Sequence, residues 1–336
     1  MERVRDLLRT DEGGGARALG GLLLGSGVFV LLIRRTEFPD PWGDGLVFLV
    51  MFLTAAFLYG AGFIGARLSP VTYSWQLAFV VYGLVLIPFA GFLFVEWIGG
   101  DTNSSLNAAW IFLLTAVAGF AAALIGGVRF GCLLGGISLI IAWLALWDKV
   151  LDNGIGSDVG TFRGLLILIA VILLVLAAVV AVSGRPEGGG TDLVTASGLA
   201  AVFAAGFLTL GSGFQSAFVP TGLPGEAAVP SGAATSLFWD LLLLIWSVGL
   251  IAYGSVSGFR GPGYVGALGL ALFVTIVGSD LDDSSPAGKV VGWPLILLLL
   301  AGALLVWSVL PAFRASRDTL PPAPQAPPPA PPATAD

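Results

Sequence analysis

Histidine is absent from the 336 residues, and the single cysteine, Cys132, lies inside an apolar run. The first absence removes His-dependent catalytic triads, His-ligated metals and His-ligated haem together. With one cysteine no intramolecular disulfide forms, and cysteine usage is silent about the redox compartment. Charge is scarce as well: Asp, Glu, Lys and Arg make up 11% of the chain, against roughly 25% in a soluble domain. No P-loop, dinucleotide fingerprint, GxSxG elbow or CxxC pair occurs, so no phosphate cradle, serine nucleophile or dithiol marks an enzyme, and no cofactor is implied. The formal net charge of −6 speaks against nucleic acid as a partner.

What the chain has in excess is apolar surface, with 57% hydrophobic residues and a mean hydropathy of +0.95. A membrane span needs about 20 mostly apolar residues, because the hydrocarbon core is about 30 Å thick and an α-helix rises 1.5 Å per residue. Apolar runs between polar breaks place candidate spans at 16–33, 45–66, 74–98, 107–127, 130–147, 163–184, 193–211, 235–254, 261–279 and 291–311. The expected fold is all-α, a polytopic transmembrane helical bundle of about ten spans. It occupies residues 16–311, between an N-terminal segment at 1–15 and a Pro-rich tail at 312–336. Membrane lipids are its first partners, and self-association into a homo-oligomer is left open.

Orientation follows from Lys and Arg, which are retained on the cytoplasmic side of span ends. With the N-terminus inside, the inner segments hold Arg3, Arg5, Arg9, Arg17, Arg67, Arg129, Arg185, Arg260, Arg314 and Arg317. The outer segments hold Arg34, Arg35, Lys149, Arg163 and Lys289. This split places both termini in the cytoplasm, with Arg34 and Arg35 as the discordant pair. Tryptophan prefers the headgroup level, and Trp42, Trp97, Trp110, Trp147, Trp239 and Trp293 all fall at expected outer ends. The first span follows an Arg-rich segment as a secretory signal does, but no small-residue cleavage site comes after it; it is expected to be an uncleaved anchor.

In the tail, Pro321, Pro322, Pro324, Pro327, Pro328, Pro329, Pro331 and Pro332 alternate with alanines. That composition cannot bury a core and favours extended polyproline II, so the tail is expected to be disordered. It serves either as a linker or as a docking segment for a protein partner.

Landmarks recur along the chain. Aligning Trp110 with Trp239 brings Arg129 near Arg260, Gly135 onto Gly266, Asp148 beside Asp280 and Arg67 against Arg185. Spans two to five would then match spans six to nine as a parallel four-helix repeat about an axis along the membrane normal. Chance self-alignment of apolar sequence is the competing explanation.

Three residues stand out as candidate sites. Asp240 places an ionisable group inside span eight, where charge is costly and usually faces a cavity or a partner. Its counterpart in the repeat is Ile111. The alternative is hydration at the outer interface or capping by Ser236 or Thr235. Glu96, beside Trp97 at the outer end of span three, is either an interfacial carboxylate or a relay partner for Asp240 as a substrate- or ion-binding group. Pro88 interrupts the hydrogen bonding of span three and is either a gating hinge or a static kink. Outer acidic clusters (Glu37, Asp40 and Asp44; Asp148, Asp152 and Asp158; Asp280, Asp282 and Asp283) lack EF-hand spacing and are read as solvated loops without a resident metal. Gly21 with Gly25, and Gly131 with Gly135, carry the small-xxx-small spacing of closely packed helices. Gly261-Pro262-Gly263 is expected to form a turn before span nine.

Asn107-Ala108-Ala109-Trp110 and Ala142-Trp143-Leu144-Ala145-Leu146-Trp147-Asp148-Lys149 resemble uncharacterised polytopic membrane proteins of high-GC actinobacteria. The resemblance implies a cell-membrane location and carries no functional residues. Three functions remain in view: a small-solute or ion-coupled transporter, suggested by the span count, Pro88 and Asp240; a non-catalytic membrane scaffold or envelope-assembly partner, suggested by the scarcity of intramembrane polar groups and the tail; and a lipid-linked transferase using Glu37, Asp40 and Asp44.

Overall fold

The computed structural model describes residues 14–33, 42–69, 71–151, 159–183, 188–207 and 237–279. All regular structure among them is helical. The helices are α1 (Gly14–Ile33), α2 (Asp44–Leu68), α3 (Ser74–Trp97), α4 (Ser105–Leu124), α5 (Phe130–Val150), α6 (Val159–Ser183), α7 (Gly189–Val202, continued by a π-helical turn at Phe203–Phe207), α8 (Leu237–Ser257) and α9 (Arg260–Ser279). Helices α2 to α6 and α8 are long and apolar enough to cross a membrane, the build of a multi-pass membrane protein. The expected tenth span at 291–311, the segment at 1–15 and the Pro-rich tail lie outside the described residues, as do Arg34, Arg35, Ser236 and Thr235. The chain divides into Met1–Ile276 and Val277–Asp336; of the second unit only the end of α9 is described.

Local chemistry sets the helix ends. Asp44 opens α2 and Arg67 closes it, each placed to oppose the partial charge of its helix terminus. The turn into α3 is tied by a chain of side chains: Ser69 Oγ donates to the Gly65 carbonyl at 2.8 Å, Gln76 Nε2 donates to Ser69 Oγ at 3.0 Å, and the Tyr73 N–H donates to Gln76 Oε1 at 2.9 Å. Gln76 is fully buried, and these bonds satisfy polar atoms that would otherwise be costly there. Gly261-Pro262-Gly263, expected as a turn, instead forms the first turn of α9. Proline is tolerated there because the first N–H groups of a helix have no intrahelical acceptor.

Short connections make neighbouring helices antiparallel hairpins, and small residues set how closely they pack. The Cα of Gly119 in α4 faces Gly131 and Gly135 of α5: a Cβ on Gly119 would lie 2.8 Å from the Gly135 Cα, so the glycine spacing read from the sequence does serve close approach. In the next such hairpin, α8 meets α9 through Gly266, whose missing Cβ would lie 2.5 Å from the Ser247 carbonyl oxygen. An equally close backbone approach joins α2 to α3, where a Cβ on Gly83 would sit 2.5 Å from the Tyr59 backbone nitrogen and 2.7 Å from its Cα. No rotamer change relieves a clash with backbone. Gly83→Val is therefore expected to destabilise the protein by about 1–3 kcal/mol, read as a lowered melting midpoint in detergent; Gly60→Val, at a position with open space around it, is expected to leave the midpoint unchanged.

Around these seams the bundle has an interior and an apolar exterior. Leu166, Ile169, Leu173, Leu193, Ala196 and Ala200 form a core between α6 and α7 with Cys132 of α5, while Val47, Met51, Leu58 and Leu86 join α2 to α3. Phe57, Val179 and Ile245 stand 59%, 60% and 68% exposed. Each would forfeit ~1.5–3 kcal/mol of burial in water, whereas a lipid environment solvates them. Helix α7 is the exception among the helices: nearly every residue from Gly189 to Val202 is buried, including Thr191, Thr195 and Ser197. It packs against α5, α6 and α8 and meets α9 where Gly198 faces Val265. It is the central post of this half of the bundle.

Candidate functional site

Two charges of opposite sign enter the interior at the same end of α6 and α8. Arg163 lies four residues into α6, and Asp240 three residues into α8. Arg163 is 3% exposed and Asp240 is 1% exposed. The two interact electrostatically, and the Arg163 guanidinium carbon stands 5.1 Å from the centre of the Trp239 ring, within range of a cation–π contact. A lone charge at this depth costs several kcal/mol; an opposite charge on one side and an aromatic face on the other offset that cost. Asp240 lies ~10 Å along the axis from the middle of α8 and ~5 Å from its first residue, within the first turn of the helix.

The elements around the pair hold it in place. From α5, Trp143 Nε1 donates to the Leu165 carbonyl at 3.1 Å, fixing the first turns of α6. Trp147 packs edge-on against Trp143 with ring centres 5.6 Å apart, and its indole N–H is buried with no acceptor among the described residues. From the centre, α7 changes from α to π winding at Phe203–Phe207, and this turn packs against both α6 and α8. Its Gly206 faces Leu243, one turn along α8 from Asp240, and Leu272 of α9. Single π turns interrupt helices frequently at functional sites; here the interruption adjoins the two charged helices.

A second charge pair closes the opposite end of α6. Arg129, at the start of α5, donates from Nε and Nη2 to the two carboxylate oxygens of Asp192 at 3.3 and 3.2 Å. Its guanidinium also stands 4.1 Å over the Phe259 ring. One side chain thus joins the α4–α5 turn, the first turn of α7 and the α8–α9 turn. Gly188 caps α7 with φ +77°, and a Cβ there would fall 2.8 Å from Arg129 Nε, so glycine is required both by the backbone and by the approach of the guanidinium. Arg129 is 42% exposed and Asp192 10% exposed, which makes the pair weaker than a fully buried one. Asp192→Asn is expected to lower stability by about 1–2 kcal/mol, and the exchanged pair Arg129→Asp with Asp192→Arg to recover part of it. Thermal midpoints of wild type, Arg129→Asp, Asp192→Arg and the exchanged pair form the double-mutant cycle that measures the coupling.

The residues expected from the sequence are distributed unevenly. Asp240 is in the buried pair. Glu96 is exposed on the last turn of α3, in a different environment from Asp240, whose charge acts on Arg163. Pro88 sits inside an α3 that continues on both sides of it and lines a 300 Å³ apolar cavity with Phe92, Phe112 and Leu134. Asp148 accepts a hydrogen bond from Ser105. Among the described residues no three of His, Cys, Asp and Glu gather as a metal site. Arg163 was expected in an outer segment ahead of span six; α6 begins at Val159 instead, which carries Arg163 inside. The signal was present in Val159-Gly160-Thr161-Phe162, uncharged residues that extend the apolar run upstream of the arginine. Asp192 and the π turn gave no sequence signal.

No protein-family model matches the chain, and comparison with curated proteins and with solved structures yields no match.

Proposed function

We propose that this protein is a transporter of small solutes, with ten spans, both termini in the cytoplasm, and the Arg163–Asp240 pair as its solute site near the outer face. The observation that carries this reading is the depth of two full charges in helices that otherwise turn apolar surface outward. Intramembrane ionisable residues mark substrate and ion pathways by default, and a purely structural bundle of this composition gains nothing from a pair that well-packed apolar residues replace at no cost. The setting supports the reading further: the pair adjoins a break in the winding of the central helix, and discontinuous helices build the sites of many secondary transporters.

Geometry also supports a repeat of α2–α5 in α6–α9. Gly127 and Gly258 both have φ +72°, each two residues before Arg129 and Arg260, and both turns launch a helix. Gly135 faces the Ala116 carbonyl as Gly266 faces that of Ser247. All four correspondences share one sequence offset, which favours the repeat over chance self-alignment of apolar sequence. The charge pair then belongs to one copy only, since Asp240 falls against Ala109 by this offset and against Ile111 by the alignment of Trp110 with Trp239, both buried apolar side chains. Ten spans result from adding α1 before this core and the apolar stretch at 291–311 after it. The Arg129–Asp192 clasp lies on the cytoplasmic side in this topology and closes the end of the bundle away from the solute site.

Uptake by proteoliposomes tests the function. Protein-dependent accumulation of a solute class over empty liposomes is expected, and Asp240→Asn is expected to reduce it at least tenfold. Unchanged uptake by the variant at every pH would remove Asp240 from the mechanism.

A further inference from the structure

Given the transport reading, on which this step rests, we infer that the transported solute is a small zwitterion carrying both a carboxylate and a cationic nitrogen. The site offers one guanidinium, one carboxylate and one indole face, from Arg163, Asp240 and Trp239, all held at one end of α6 and α8. At rest the two charges compensate each other. A solute that lodges between them separates them, and each then requires a new counter-charge, because removing one partner from a buried pair leaves the other charge uncompensated.

The candidate solutes divide on that requirement. An anion neutralises Arg163 and orphans Asp240; a cation does the reverse. An uncharged solute has no means of replacing the charge compensation it would weaken. A zwitterion alone brings a counter-charge to each of the two, its carboxylate taken up by the planar guanidinium fork, which suits bidentate recognition, and its cationic nitrogen by the Asp240 carboxylate. Net charge in the site is the same before and after loading, so the solute crosses the apolar bundle without an added charge.

Specificity should then follow the charges when either is removed. In Asp240→Asn the anionic counter-charge is gone, and the remaining Arg163 selects anions. In Arg163→Gln the remaining Asp240 selects cations. A structural role for the pair would lower all uptake in both variants and would not move preference in opposite directions.

The experiment uses the full chain in proteoliposomes with four radiolabelled probes: a mixture of neutral α-amino acids with glycine betaine, methanesulfonate as a permanent anion, choline as a permanent cation, and erythritol as an uncharged solute. Wild type is expected to accumulate the zwitterions at least tenfold over each of the other three. Asp240→Asn should shift the preference toward methanesulfonate and Arg163→Gln toward choline. Wild-type uptake of methanesulfonate, choline or erythritol that equals or exceeds that of the zwitterions overturns the inference while leaving the transporter reading in place. Uptake of no probe above empty liposomes, with variants identical to wild type, overturns both.

Discussion

Asp240→Asn is expected to cost about 3–5 kcal/mol of stability. The amide is close in size to the carboxylate, so the loss does not come from packing. It comes from Arg163, left 3% exposed with its full charge and a neutral neighbour. Arg163→Met combined with Asp240→Leu removes both charges and should bring stability back to within about 1 kcal/mol of wild type, since apolar replacement of a whole buried pair is often neutral or stabilising. Uptake should stay lost in the double variant. That separation of fold from function is the point of the comparison: stability follows charge balance, whereas transport follows the presence of the charges. Unfolding titrations of the purified proteins in mixed micelles measure the first quantity. A cost below about 1 kcal/mol for Asp240→Asn would mean that water already solvates the site.

Deleting Ala205 from the π turn is expected to abolish uptake. Removing one residue takes away the extra residue that the π turn carries over α winding, so the turn closes as α-helix and its remaining residues shift against α6 and α8. Gly206 then leaves its place against Leu243 and Leu272. The wall beside Asp240 is lost with it. Substituting Ala205 by Gly keeps the residue count and the winding, and is expected to retain uptake. Equal uptake and equal melting midpoints for the deletion and wild type would show that the break in α7 is incidental to the site.

Much of the architecture was legible because apolar runs end where hydrated residues begin. The expected spans at 74–98, 107–127 and 130–147 agree closely with α3 (Ser74–Trp97), α4 (Ser105–Leu124) and α5 (Phe130–Val150). The apolar pattern starts α6 and α7 late by about one turn, at 163 and 193 in place of Val159 and Gly189, and the cause is the same in both. Arg163 and Asp192 look like the hydrated ends of runs when the chain is read in one dimension, yet each is held inside by a charge far away in sequence: Asp240 for Arg163, and Arg129, 63 positions distant, for Asp192. Tertiary pairing of this kind leaves no local pattern. Asp240 was visible because it has apolar neighbours on both sides, Phe238-Trp239 and Leu241-Leu242, and no loop could be drawn through it. The π turn was invisible because Phe203-Ala204-Ala205-Gly206-Phe207 has nothing that distinguishes π from α winding; packing against α6 and α8 is what selects it.

Whether water and solute reach the buried pair is measured most directly by chemical labelling. Cys132 is the only cysteine and is fully buried, so Asp240→Cys in a Cys132→Ser background presents a single thiol at the site. In intact proteoliposomes the membrane-impermeant, anionic reagent methanethiosulfonate ethylsulfonate is expected to react there, and the sulfonate it adds to restore part of the uptake by returning a negative charge beside Arg163. Labelling by a lipid-soluble maleimide alone, with no reaction of the anionic reagent from either side, would place Asp240 against lipid or sealed core and contradict a solute pathway through the Arg163–Asp240 pair.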